Sequence, residues 1–273
     1  MIRVLISNQI CESFVGMVLV AVLLGVVGTM VVQSKMAFFS DALGHCVFTG
    51  IAIGNVLGIQ NYRISIILFA VIFAVLISFL IEKEKSSADT VISVFSSAGL
   101  ASGIFVLSLN RETSGYSDFF VGDILSISQN EIIGLLVLLL AVLIFWFMMF
   151  NKFILSSLNK DLASSKLVNF KFYKMLFTIV LSIVVSIAVR WVGILLINSL
   201  LILPAATSRN FAKNMRQYIF FSILFSIFSG VLGFTLSYIF GGASTPLIVI
   251  LATLCYLISH FVSNNNFRKR CCF

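Results

Sequence analysis

Asp41 and His45 are the first side chains in this sequence whose types and spacing invite chemistry. On a helix, a separation of four places a carboxylate and an imidazole on one face, one turn apart. That pair suits zinc, manganese or iron(II): manganese leans towards oxygen ligands, and zinc tolerates nitrogen and sulfur. Two side chains are too few for a closed structural zinc site. They suit an ion that must enter and leave. Ionisable groups in or beside an apolar span are costly, so they tend to line a pathway or a site. A plainer reading stands beside this one. Ser40 or Asp41 would cap a helix beginning at Ala42, and His45 would bond a neighbouring backbone group. Cys46 lies about 100° from His45 on the helical wheel and is left out of the ligand set.

Phe120-Val-Gly-Asp123 holds a second carboxylate in an apolar stretch. Asp123 either adds an oxygen ligand or an entrance gate, or is a turn residue after Gly122. His260 and Arg190-Trp191 read as membrane-interface residues. Gly50, Gly54 and Gly58 form a doubled GxxxG, a spacing that lets helix backbones approach in lipid. From Val192 to Arg209 an apolar run is interrupted by Pro204, which removes a backbone donor. The run reads either as a short helix ending in Pro204-Ala205-Ala206-Thr207 that docks a partner at the cytoplasmic surface, or as an ordinary kinked span.

The elements that must hold these residues are membrane helices. The chain is 60% hydrophobic and 10% charged, whereas soluble domains are roughly a quarter charged. Apolar runs long enough to cross a bilayer as helices recur throughout. Spans are expected at 12–33, 42–59, 64–82, 90–108, 131–151, 172–190, 192–208, 217–240 and 245–262, with 192–208 short enough to be a returning segment. The expected fold is therefore all-α, a polytopic integral membrane protein of eight or nine transmembrane helices, with residues 1–273 as one permease domain. The stretch from Ser13 to Val32 reads as a permanent first span rather than a removable signal. Lysines and arginines gather in 152–174, 209–216 and the tail, which places those segments in the cytoplasm. Working backwards through the spans puts the N-terminus outside.

Other functions are disfavoured. The net charge of +8 is accounted for by those loops, leaving no basic face for nucleic acid. There is no Walker A loop and no GxGxxG. The five cysteines have no CxxC or zinc-finger spacing and read as free thiols in a reducing cytoplasm.

Lys35-Met-Ala-Phe-Phe-Ser-Asp-Ala-Leu-Gly-His45 resembles a segment of the membrane subunits of zinc/manganese/iron ABC importers. Phe119-Phe-Val-Gly-Asp-Ile-Leu125 and Val192–Arg209 resemble two further segments of that family, in the same order, and the resemblance covers essentially the whole chain. It implies a permease homodimer in the bacterial cytoplasmic membrane. Its partners would be cytoplasmic ATP-binding-cassette ATPase subunits and an extracytoplasmic metal-binding protein. It also implies ATP-driven alternating access, with no permanently bound cofactor and no enzymatic activity in this chain. By matching position, Asp41 and His45, with Asp123 as a further candidate, belong to the metal pathway. Pro204, Ala205, Ala206, Thr207 and Arg209 belong to the ATPase-coupling surface. Some zinc-type members carry a histidine where this chain has Val94-Phe-Ser-Ser-Ala98, so zinc is placed only slightly ahead of manganese as the cargo. The alternative is a stand-alone secondary transporter driven by an ion gradient, which would need paired repeats and more intramembrane charge; a structural membrane protein comes third.

Overall fold

The computed structural model describes residues 2–59, 61–83, 88–109, 122, 127–158 and 170–270. Among them the regular structure is entirely helical: α1 (Ile2–Gln33), α2 (Ala37–Val56), α3 (Tyr62–Lys83), α4 (Ala88–Leu109), α5 (Gln129–Leu158), α6 (Phe170–Val192), α7 (Ile194–Arg209), α8 (Met215–Phe240) and α9 (Ser244–Arg270). Eight are long and apolar enough to cross a bilayer, and α7, with 16 residues, is shorter. The chain is thus an all-α, polytopic integral membrane protein. Two boundaries between apolar runs depend on unusual backbone. Lys35, between α1 and α2, has φ 55°, and Gly193, between α6 and α7, has φ 79° and ψ 156°. The latter conformation is essentially confined to glycine. Gly193 is what divides one long apolar run into α6 and α7.

The described helices fall into two compact units. The first comprises Met1–Lys35, Phe120–Leu140 and Trp191–Phe273. Its core is an antiparallel ladder of α1 on α8. Phe14 meets Phe234 edge-on with centroids 6.2 Å apart, and Met17 packs where a side chain at Gly230 would stand. Ser226 Oγ donates to the Ala21 carbonyl and Ser222 Oγ to the Gly25 carbonyl, both at 2.7 Å. These serines are fully buried. Their bonds substitute for the water that lipid cannot supply. Gly28 then admits the Leu201 carbonyl of α7 so closely that no side chain fits there. Trp191 is only 8% exposed and packs near Gly134, so it is a core residue of this unit and not the interfacial anchor expected. The side chain of Arg190 lies outside the described set.

The second unit comprises Met36–Phe119 and Ala141–Arg190. Here α2 is gripped from two sides. A side chain at Gly50 would come within 2.9 Å of the Ile66 Cα, and one at Gly54 within 2.8 Å of Ser65 Cβ, so both glycines seat α3. Ser65 Oγ donates to the Gly50 carbonyl at 2.6 Å. Gly58 does not extend this stripe. It has φ 67°, has open space around it, and ends the helix instead. On the other side α4 runs parallel to α2. Gly103 abuts the backbone of Phe48 and Thr49, and Thr49 Oγ1 donates to the Gly99 carbonyl.

Candidate metal site

The helix carrying Asp41 and His45 starts five residues earlier than its sequence suggests. It begins at Ala37 after Met36, with no side-chain cap. Asp41 is therefore inside the helix, in its second turn. A capping role for Ser40 or Asp41 is excluded, because a cap must lie outside the helical run. Phe39, Leu43 and Cys46 are fully buried, whereas Asp41 faces outward from the unit and His45 is half-buried.

The side chains meet as the spacing predicts. Asp41 Oδ2 lies 3.5 Å from His45 Nε2. Two ligand atoms bound at roughly 2.0–2.1 Å to one tetrahedral metal stand about 3.3 Å apart. The pair thus spans close to one edge of such a coordination sphere. The separation is long for a neutral hydrogen bond. The other imidazole nitrogen, Nδ1, is buried and has no hydrogen-bond partner among the described residues. The expected alternative, a histidine satisfied by neighbouring backbone, is not what the structure holds. An orphaned buried nitrogen costs about 1–3 kcal/mol, so its presence calls for an explanation in function.

Cys46 faces α4, its Sγ 3.9 Å from the position of a side chain at Gly99, which supports leaving it out of the ligand set. Among the described residues no three His, Cys, Asp or Glu side chains gather as a metal group. The described site is two ligands wide and open. Asp123 lies outside the described residues. Its neighbour Gly122, at φ 69°, packs directly on the backbone of Val192 and Gly193, so the second and third motifs touch through two left-handed glycines. That contact was not foreseen; only the glycine of each motif signalled it. Ser97, in the Val94–Ala98 stretch, is an exposed residue of α4.

The segment around Pro204 is a continuous helix. Pro204 is internal to α7, which runs on to Arg209, one residue past the expected span end at 208. Pro204, Ala205 and Thr207 are buried within their unit, Ala206 is half-buried and Arg209 is exposed. Asn210 Nδ2 donates to Ser259 Oγ at 2.9 Å, and Ser259 Oγ donates to the Thr207 carbonyl at 3.2 Å. These bonds fasten the end of α7 to α9. The accessible part is the turn from Arg209 to Asn214, with Arg209, Phe211, Lys213 and Asn214 outward. His260 is exposed, as an interface residue would be, and stacks on Tyr256 with centroids 6.3 Å apart.

The profile of the ABC 3 transport family matches residues 7–263. The high-affinity zinc uptake system membrane protein ZnuB of Haemophilus influenzae is 28% identical over 239 residues, covering 86% of this chain and 90% of that protein. The manganese import system permease protein ScaB of Streptococcus gordonii is 30% identical over 257 residues, covering 92% and 90%. Among solved structures, PsaBC from Streptococcus pneumoniae in complex with Fab superimposes with a TM-score of 0.79 at 28% identity, covering 91% of this chain and 89% of that one.

Proposed function

Because this chain belongs to the ABC 3 transport family, we propose that it imports zinc or manganese by alternating access, with the ion passing Asp41 and His45. The chain is a membrane transport subunit of that family, integral to the bacterial cytoplasmic membrane, and not itself an enzyme. The observation that carries the proposed passage is the pair itself: Oδ2 and Nε2 stand 3.5 Å apart, with a second imidazole nitrogen left unpaired. An open pair of this kind binds weakly enough to release its cargo. Asp123 is a further candidate oxygen ligand.

In this reading residues 1–273 act as one permease domain and two copies form the pathway. Cytoplasmic ATPase subunits engage the exposed turn that follows Pro204, Ala205, Ala206 and Thr207, with Arg209 at its start. An extracytoplasmic metal-binding protein delivers the ion from the other side. Relatives named for zinc and for manganese are equally similar, so the cargo choice rests on the ligands. One nitrogen and one oxygen, with no added histidine at Val94–Ala98, leave zinc ahead by little. The stand-alone secondary transporter draws no support from this family.

The test is uptake of radiolabelled zinc and manganese by proteoliposomes holding this chain with its ATPase and binding protein. The proposal requires uptake that depends on ATP inside the vesicle. Uptake driven by an ion gradient without ATP would replace it with the secondary-transporter reading.

A further inference from the structure

One face of α8 carries a furrow of about 490 Å³ lined from Phe220 to Leu232, with Ile223, Leu224, Ile227 and Phe228 between them. The buried Ser222 and Ser226 of α8 point away from it, towards α1. Phe220 is 62% and Phe228 50% exposed. The lining contains no small residue that would let a second helix backbone approach closely. The furrow runs from residue 220 to 232, roughly 18 Å at the rise of an α-helix. That approximates the depth of one leaflet, about half of a 30 Å hydrocarbon core.

The furrow also has a charged mouth. Arg216 lies four residues before Phe220, hence on the same face, one turn closer to the helix start. Arg216 is exposed, as are Lys213 and Arg209 in the turn before α8. Their bias places this end at the cytoplasmic surface, at headgroup level.

We propose that this face of α8 is a binding site for an anionic phospholipid of the cytoplasmic leaflet, with one acyl chain in the furrow and the phosphate on Arg216. Each basic residue at such a surface favours an anionic over a zwitterionic lipid by about fivefold. The proposal is independent of the transported ion.

Native mass spectrometry of the full chain in mild detergent tests it, with phosphatidylglycerol and phosphatidylcholine of identical acyl chains. The wild type should retain phosphatidylglycerol at least about fivefold better. Arg216→Gln should lower phosphatidylglycerol retention about fivefold and leave phosphatidylcholine unchanged. Leu224→Trp, which fills the furrow and keeps the charge, should lower retention of both lipids. Equal retention of the two lipids by the wild type would overturn the proposal. So would an Arg216→Gln variant that keeps the preference, or a Leu224→Trp variant that retains both lipids fully. Efficient lipid-independent disulfide cross-linking of two copies through Phe228→Cys would assign the furrow to a second copy instead.

Discussion

Gly99 and Gly103 are four residues apart on α4, and both face α2, yet alanine should affect them in opposite ways. A side chain at Gly103 would stand 2.7 Å from the Thr49 amide nitrogen and 2.9 Å from Phe48 carbonyl carbon and Thr49 Cα. All three are backbone atoms, so no rotamer change relieves the clash. Ordinary contact begins near 3.4 Å, so α2 and α4 must part by about 0.7 Å. Overpacking of this kind costs about 1–3 kcal/mol. Loss of the Thr49–Gly99 hydrogen bond adds about 0.6 kcal/mol. A side chain at Gly99 would meet only Thr49 Oγ1 at 3.6 Å and Cys46 Sγ at 3.9 Å, both ordinary contacts. Gly→Ala within a helix contributes about 0.5–1 kcal/mol of stability in either variant. Gly99→Ala should therefore match or exceed the wild type, while Gly103→Ala falls about 0.6–3 kcal/mol below it, a gap of about 2–4 kcal/mol between the two variants. The thermal midpoints of the two purified variants should differ by about 5–10 °C. Gly103→Ala should also lose metal uptake, because α2 carries Asp41 and His45. Equal midpoints for the two variants would refute the α2–α4 packing.

Three further outcomes follow. Ser222→Ala with Ser226→Ala removes two bonds from α8 to α1 at about 0.6 kcal/mol each; the double variant should melt lower by thermal denaturation, and each single variant by about half as much. Gly122→Ala forces a side chain onto the Val192–Gly193 backbone at a positive φ, a conformation costing about 1–2 kcal/mol for an L-residue; expression and thermal midpoint should fall further than for Gly134→Ala, whose nearest neighbour, Trp191, is 4.0 Å away. Metal ligation needs a neutral imidazole and an ionised carboxylate, so uptake at saturating ATP should weaken on acidification as the His45 imidazole takes up a proton; a flat profile from pH 8 to about 5 would remove His45 from the passage.

Periodicity and hydropathy are averaged over many residues, and they made the helices of this chain legible from sequence. Single-residue backbone choices were not. The start of α2 was hidden because Phe39-Ser-Asp-Ala has the composition of a cap, while the turn was made instead by Lys35 in a left-handed conformation. Gly58 looks like Gly50 and Gly54 by spacing, yet it ends the helix they pack. Trp191 has the type of an interfacial anchor, and only the tertiary packing near Gly134 shows it buried. Pro204 lies inside α7, which runs to Arg209, one residue past the end of the 192–208 span expected from hydropathy. The Asp41–His45 pair was legible because helical spacing alone brings i and i+4 together. The unpaired Nδ1 was not, since it depends on what α2 is packed against.

The most direct test of the account is a double-mutant cycle on ATP-driven metal uptake, comparing wild type, Asp41→Asn, His45→Gln and the pair, with assembly of the transport complex checked in each. If one ion is held by both side chains, each single change should cost about tenfold or more in uptake. The double variant should then be little worse than the weaker single one, since the two act as a unit. Full uptake in both single variants, with the complex assembled, would contradict passage of the metal between Asp41 and His45.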